Sequence, residues 1–168
     1  EVCLVGSEMC IRDRSDTNSY DGYGTAWSDL SSEGNDATLV NSPTYNGSDK
    51  VFDFAGSNSQ YATVGSGFSD FSSGATFFFV ADLDAGDNWE RLIDFSTGGR
   101  SSNANVRNAG SPINVGRTDT GTGMTIGVYD PNKQEISSDI ILNNTLASYC
   151  VTIDAVSYTH LRAHETHL

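Results

Sequence analysis

Residues 73–81 read Ser-Gly-Ala-Thr-Phe-Phe-Phe-Val-Ala, and this stretch does most to decide the fold class. Its apolar run, Phe77–Ala81, has helix-breaking neighbours and contains three consecutive aromatic side chains, which are typical of strands. Because the run does not alternate with polar residues, we predict a central strand that is covered on both faces. A strand whose outer face meets a partner is the alternative.

Strand-like runs also occur on both sides of this stretch. Short runs rich in β-branched and aromatic residues recur between clusters of Gly, Ser, Asn and Asp, as they do in β-sandwiches and barrels. Val51–Phe54 and Met124–Tyr129 also alternate as a half-buried strand requires. The pattern predicts an all-β fold without helices, with strands near 38–40, 51–54, 60–64, 76–83, 91–96, 103–107, 113–117, 124–129, 136–142 and 148–154.

The two ends of the chain are related at the level of coding. When Val156–Thr166 is written with one set of codons, the complementary strand encodes Cys3–Asp13, and the match extends outward to thirteen residue pairs. Both segments look like a transposase-type sequencing-library adapter translated in opposite directions. We therefore interpret residues 1–14 and 155–168 as artefactual, adapter-derived segments that flank a domain at residues 15–154. A genuine inverted terminal repeat is the alternative.

This interpretation changes which residues are available for chemistry. All three histidines lie in the C-terminal segment, and Cys150 is the only cysteine of residues 15–154. The domain therefore cannot build a disulfide framework, a zinc cluster or a histidine-activated nucleophile. It retains 18 of the 22 acidic residues and six of the nine basic residues. This negative charge disfavours nucleic-acid binding, and no apolar run is long enough for membrane insertion.

Four landmarks occur in the order found in one family of β-sandwich modules. They are Trp27–Leu39 with its Gly-Asn turn, Phe52–Val64, Ser73–Val80 and Trp89–Phe95. Together they resemble the laminin-G-like modules of the concanavalin A-like lectin and glucanase superfamily, best over residues 23–97. The family's Phe-Asp-Gly turn is altered, because Phe54-Ala55 intrudes before the glycine. The resemblance implies an antiparallel β-sandwich of the jelly-roll type, truncated at its C-terminal end.

Modules of this family usually bind glycans or proteins. The resemblance therefore implies a non-catalytic carbohydrate- or ligand-binding or adhesion module of a larger protein that is extracellular, on the cell surface or in a virion. A purely structural sandwich is one alternative. A glucanase-like glycoside hydrolase is another, which needs paired carboxylates. The domain lacks the Glu-x-Asp-x-x-Glu pattern of those hydrolases, and Asp82 and Asp84 are more typical of a solvated loop.

Calcium is the cofactor that the sequence favours most, because it takes oxygen ligands and the loops are rich in Asp and Asn. The first candidate ligands are Asp29, Asn35 and Asp36, in the acidic turn of the first landmark. The alternative is that these side chains satisfy loop amides through hydrogen bonds. A second candidate loop is 84–88.

A glycan site needs an aromatic face for a sugar ring and planar polar groups for its hydroxyls. Trp89 beside Asp87 and Asn88 fits this requirement, and Tyr129 with Asp130 and Asn132 is a second, poorer candidate. The alternative for Trp89 is a core or rim tryptophan. We assign Trp27 to structure, and we interpret residues 15–25 as the tail of an interdomain connection. The expected partners are a carbohydrate or an extracellular protein, and other domains of the same parent chain.

Overall fold

The computed structural model describes residues 2–4, 11–12, 16–65, 74–84, 91–95, 113–117, 124–130, 132–138, 144–153 and 161–166. Within them the chain is mostly strand, and every described strand pair is antiparallel. The prediction of an all-β fold is therefore confirmed. The chain divides into two compact units, Glu1–Phe79 and Val80–Leu168.

The first unit contains one 3-10 helical turn, Gly56–Asn58, among its described residues. Its strands are β1 (Val2–Leu4), β2 (Ile11–Arg12), β3 (Ala26–Trp27), β4 (Ala37–Val40), β5 (Thr44–Asn46), β6 (Val51–Asp53), β7 (Tyr61–Val64) and β8 (Ala75–Ala81), the last of which ends just inside the second unit.

Strand β4 is the middle strand of a three-stranded sheet in the order β3-β4-β7. Ala37 lies opposite Trp27 on one side and opposite Val64 on the other. Ala37 and Leu39 are buried while Thr38 is exposed, so this sheet covers apolar side chains with one face and meets solvent with the other. Strands β5 and β6 form a separate hairpin in which Tyr45 lies opposite Phe52.

A cluster of aromatic rings packs the hairpin against the region around β3. The Phe52 ring lies 4.7 Å from Tyr20, 5.0 Å from Trp27 and 5.2 Å from Tyr45, measured between ring centroids, and every pair is tilted or edge-to-face. Such geometries are the favourable ones for aromatic pairs. Trp27 therefore packs as part of the aromatic core of this unit, in agreement with its assignment to structure.

The apolar strand β8 departs from the expectation that both of its faces are covered. Phe77 is fully buried and Phe79 is 5% exposed, but Phe78, which lies between them, is 42% exposed. The expectation is therefore wrong for Phe78, because successive side chains of a strand point to opposite faces and only one face of β8 is deeply buried. Its neighbour in the described part of this unit is β1, with Phe78 opposite Cys3.

The second unit contains a four-stranded antiparallel sheet and a further pair of antiparallel strands. Its strands are β9 (Arg91–Asp94), β10 (Ile113–Arg117), β11 (Met124–Asp130), β12 (Asn132–Ser138), β13 (Ala147–Ile153) and β14 (Leu161–Thr166). The sheet order is β12-β11-β10-β9, and β13 pairs with β14. In the sheet Val115, Met124 and Ile126 are buried, and the register of β10 on β9 shifts between Val115 and Gly116.

The described part of this unit contains a buried cation. Arg117 is 1% exposed, and its Nη2 donates a hydrogen bond to the backbone carbonyl of Asp84. Along β13 the alternate residues Ala147, Tyr149 and Val151 are buried. Cys150 is expected to be a small buried hydrophobe, but it lies between two of these buried residues and is only half-buried.

Strands β1, β2 and β14 lie in the terminal segments that we interpret as adapter-derived. In β14, His164 lies opposite Cys150 of β13. Ladder pairing uses backbone N–H and C=O groups that every extended segment carries, so pairing does not distinguish a native strand from a foreign one. The interpretation of the two ends stays a prediction.

Candidate functional site

Residues 17–28 form a shallow depression of about 330 Å³ on the first unit. Three kinds of group line it: hydroxyls, a carboxylate with a neighbouring amide, and tyrosine rings. The residues that matter for its chemistry are Asn18, Ser19, Tyr20, Asp21, Tyr23 and Ser28.

A turn begins the depression and is held by Asp16. Its backbone carbonyl accepts hydrogen bonds from the N–H groups of Ser19 and Tyr20, both at 3.0 Å. Its Oδ1 accepts from the N–H and from the side-chain amide of Asn18, both at 2.9 Å. Short Asp side chains favour turns because they bond to the backbone two residues further on. The Asn18 amide is thereby fixed beside the depression.

Hydrogen bonds join the floor of the depression to Ser28, which directly follows β3. Ser19, which is 1% exposed, donates from Oγ to the Ser28 carbonyl at 2.8 Å, and the Ser28 N–H donates back to the Ser19 carbonyl at 2.8 Å. The buried Tyr20 donates from its hydroxyl to the Gly24 carbonyl at 3.1 Å, while its ring joins the aromatic cluster. These contacts make the depression a preformed feature of the fold.

Tyr23 offers an exposed aromatic ring at this place, with 75% of its surface accessible. It lies between Gly22 and Gly24, whose φ angles of 98° and 81° belong to the left-handed region that glycine adopts without strain. A side-chain hydrogen bond with Asp21, together with the negative charge of Asp21, raises the pKa of the Tyr23 phenol. The pKa of Tyr20 is raised mainly by burial, with a further contribution from Asp21. An open ring and a carboxylate therefore lie close together, and the Asn18 amide lines the same depression.

The three residues predicted to bind calcium lie in one loop, and the carboxylates of Asp29 and Asp36 bond to that loop. The Asp29 carboxylate, which belongs to a residue only 9% exposed, accepts from the Ser31 N–H at 2.9 Å, the Ser31 hydroxyl at 2.8 Å and the Asn35 N–H at 3.0 Å. Asp36 accepts from the Asp29 N–H at 2.8 Å. These are the contacts of side chains that satisfy loop amides. Calcium binding here stays a prediction, and a cation would have to replace donors around Asp29.

Among the described residues, no group of three or more His, Cys, Asp or Glu side chains is placed to hold a metal ion. Asp82 and Asp84, the pair weighed for glycoside hydrolysis, both lie exposed just after β8. Leu83, between them, accepts a backbone hydrogen bond from the Asn144 N–H at 2.8 Å. No helix in the described part of the chain combines the length and the apolar character needed to cross a membrane.

The predicted glycan site at Asp87, Asn88 and Trp89 lies outside the described residues, as does most of the second calcium candidate, the loop 84–88. Tyr129, the alternative aromatic residue, lies in β11 opposite Lys133 of β12. The structure therefore does not bring the predicted glycan-binding residues together within its described part.

Sequence reasoning missed the depression, because residues 15–25 were interpreted as a connecting tail. A signal was present: the segment Asp16–Gly24 contains two tyrosines and two aspartates among Thr, Asn, Ser and Gly. This composition is typical of an ordered turn that presents aromatic rings. What the sequence could not show is the return of the chain at Ser28, which closes the depression.

Comparison of the chain with family models, with curated proteins and with solved structures gives no match. The class that the described residues define is therefore an all-β protein of antiparallel sheets with a polar, tyrosine-bearing depression. The resemblance to laminin-G-like modules stays a prediction based on the four sequence landmarks.

Proposed function

We propose that residues 15–154 are a non-catalytic carbohydrate- or ligand-binding module with a concanavalin A-like β-sandwich fold, belonging to a larger extracellular, cell-surface or virion protein. The observation that carries the proposal is the depression at residues 17–28, which the exposed Tyr23, Asp21 and Asn18 line together. The one-sided burial of β4 and β8 supports the sandwich, since each sheet of a sandwich covers the core with one face.

The chemistry of the depression suits a sugar. The apolar face of a sugar ring stacks on an aromatic side chain, while planar carboxylate and amide groups bond to its hydroxyls. Tyr23 supplies the ring, and Asp21 and Asn18 supply the planar groups. A volume of about 330 Å³ is small for a ligand site, so we assign the depression to the end of a glycan and not to a long chain.

Preorganisation strengthens the proposal. Ligand binding costs less when the binding groups are already held in place. Here Asp16 fixes the Asn18 amide, and the bonds between Ser19 and Ser28 fix the floor. The exposed side chains of Tyr23 and Asp21 are the groups that the ligand would still have to order.

The same lining supports binding without catalysis. Glycoside hydrolysis uses two carboxyl groups that flank the scissile bond. Asp21 is the one carboxylate among the described residues that line the depression. A calcium ion held by Asp29, Asn35 and Asp36 would strengthen the neighbouring loop and is the proposed facultative cofactor. The proposed partner is a carbohydrate or another extracellular ligand.

The proposal is tested by binding the full chain to a glycan panel, with Tyr23→Ala as the variant and Tyr61→Ala as the matched control. Tyr61 is 49% exposed on β7 and lies outside the lining of the depression. We expect Tyr23→Ala to weaken binding about tenfold, because exposed aromatic anchors dominate such contacts, and Tyr61→Ala to leave it unchanged.

Three other outcomes point elsewhere. If Trp89→Ala abolishes binding and Tyr23→Ala does not, the site is the sequence-predicted one at residues 87–89. If the unaltered chain binds no glycan, with calcium or with a chelator, the module is a structural sandwich. If the chain cleaves a glycan, the hydrolase alternative is correct.

A further inference from the structure

The turn between β5 and β6 carries the only Asn-Gly pair of the chain, Asn46-Gly47. Asn46 ends β5 and lies opposite Val51, the first residue of β6. The four residues between them form an exposed turn, and Asn46 itself is exposed. Glycine after asparagine matters chemically, because no side chain shields the backbone nitrogen that follows the asparagine amide.

The Asn46 side chain is held in a specific orientation. Its Oδ1 accepts hydrogen bonds from the Ser48 N–H at 3.0 Å and from the Asp49 N–H at 3.3 Å. Its Nδ2 donates to Oδ2 of Asp49 at 2.7 Å. The Asp49 contact thereby fixes which end of the amide faces the two backbone donors. Backbone N–H groups aimed at a carbonyl oxygen stabilise the negative charge that develops there when a nucleophile attacks its carbon.

We propose that Asn46 is a self-modification site, at which the folded turn promotes deamidation through a succinimide. The Gly47 nitrogen loses its proton to water or hydroxide and forms a bond to Cγ of Asn46. The charge that develops on Oδ1 is stabilised by the Ser48 and Asp49 N–H groups. The bond from Cγ to Nδ2 then breaks, and the nitrogen takes a proton from water and leaves as ammonia.

Water completes the reaction. It adds to either carbonyl of the five-membered ring, and the ring opens to aspartate or to isoaspartate. The sum is asparagine plus water to an acidic residue plus ammonia, so no oxidant, metal or cofactor is required. The product adds one negative charge to a chain whose formal net charge is already −13.

The isoaspartate product would alter the hairpin. It places one extra methylene in the backbone at the end of β5, next to the pairs that bring Tyr45 opposite Phe52. Those two rings belong to the aromatic cluster, 5.2 Å apart. The modification therefore acts on the packing of the first unit and also removes the Asn46-Gly47-Ser48 glycosylation motif.

The test follows deamidation of the full, unglycosylated chain by peptide mapping and mass spectrometry at mildly alkaline pH, folded and in urea. We expect conversion at Asn46 ahead of every other asparagine, at a rate in the folded chain at least equal to that in urea. If Asn46 stays intact in the folded chain while the unfolded chain converts, the proposal is overturned. This comparison needs no variant.

Two variants sharpen the test. A Cβ at Gly47 would meet Cε1 of Tyr45 at 3.9 Å, an ordinary contact, so Gly47→Ala fits the turn. It should slow conversion by about tenfold or more, since it hinders the approach of the nitrogen to Cγ. Gly56→Ala is the matched control, because Gly56 is exposed and an added Cβ there would meet no atom within 4 Å, and we expect an unchanged rate at Asn46. An unchanged rate in Gly47→Ala, or a rate in Gly56→Ala that falls as far, would also overturn the proposal.

Discussion

Two loops of the first unit use the same kind of side chain for opposite purposes. In the loop of residues 29–36 the Asp29 carboxylate is nearly inaccessible and accepts three hydrogen bonds from Ser31 and Asn35. In the turn of residues 46–49 the Asn46 amide is exposed and accepts two hydrogen bonds from backbone N–H groups. Both side chains bond to the backbone that follows them, as Asp and Asn do in turns.

The difference in burial decides what each loop can do. A buried carboxylate that satisfies several half-buried donors holds a loop together, because those donors would otherwise lose that acceptor where water has limited access. The Asn46 amide keeps its contacts in the turn, but the exposed Ser48 and Asp49 donors can bond to water when the amide is removed. Its contribution to stability is therefore small, while water has access to it. The first loop is therefore a structural element, and the second is the reactive one.

The largest expected effect tests this difference directly. Asp29→Ala removes the acceptor for three donors in a nearly inaccessible place, and we expect it to lower the free energy of unfolding by about 2–3 kcal/mol. Asn46→Ala removes a contact that water replaces, and we expect a loss of about 0.5 kcal/mol or less. Urea denaturation of both variants measures the two values.

Similar losses in the two variants would break the comparison. A small loss in both would mean that the Ser31 and Asn35 donors turn to water when the carboxylate is removed. If added calcium raises the melting temperature of the unaltered chain and not that of Asp29→Ala, the predicted metal role of this loop is supported instead.

The strands that the sequence predicts well are those with a clear apolar pattern. The strands that became β4, β7, β9, β10 and β13 were predicted to within about two residues, since each carries enough alternating or continuous apolar residues to be identified alone. The strand predicted near 103–107 lies outside the described residues.

Short strands escaped prediction because their stability comes from pairing and not from their own residues. Ala26–Trp27 and Thr44–Asn46 are too short to show a period, and they are held by the partners Ala37 and Phe52 across the ladder. Strand β12 begins at Asn132, four residues before the predicted start, because the first part of its pairing with β11 runs through polar residues, from Asn132 opposite Asp130 to Glu135 opposite Gly127. The period of the apolar residues cannot predict where a strand made of polar residues begins.

The candidate site was predicted in part. The residues at 29–36 were identified as a loop whose acids either bind a cation or satisfy amides, and the structure supplies the amide contacts for Asp29 and Asp36. Which donors lie near a carboxylate depends on the path of the loop, which composition does not specify. The depression around Tyr23 needed the return of the chain at Ser28, a contact nine residues away in the sequence.

A second, smaller effect contrasts the glycines of the two loops. Gly34 has a φ angle of 66°, and a Cβ added there would meet no atom within 4 Å. Gly34→Ala should therefore cost about 1 kcal/mol through the left-handed backbone alone. Gly47 has no such conformation, and Gly47→Ala should cost less than about 0.5 kcal/mol. Thermal unfolding of the two variants measures the contrast, and equal losses would show that backbone conformation does not separate the loops.

The smallest expected effect concerns the exposed carboxylate of Asp21. Asp29 and Asn46 bond to the backbone of their own loops, whereas Asp21 acts on the phenol of Tyr23. Asp21 raises the pKa of Tyr23 through a hydrogen bond and through its charge, both of which favour the protonated phenol. Asp21→Asn should therefore lower the pKa of Tyr23 towards that of a free tyrosine, as followed by ultraviolet absorbance in an alkaline titration.

Tyr20 determines the direction in which folding stability changes at alkaline pH, because its pKa is raised, mainly by burial. The folded state holds that proton more tightly than the unfolded state does. Its contribution to stability is complete below the pKa of an unfolded tyrosine and is lost as the pH rises through the higher folded value. Tyr20→Phe should remove this alkaline loss, whereas Asp21→Asn should reduce it only slightly, because the charge of Asp21 is the smaller cause. An alkaline loss that Tyr20→Phe leaves unchanged would assign the transition to another group.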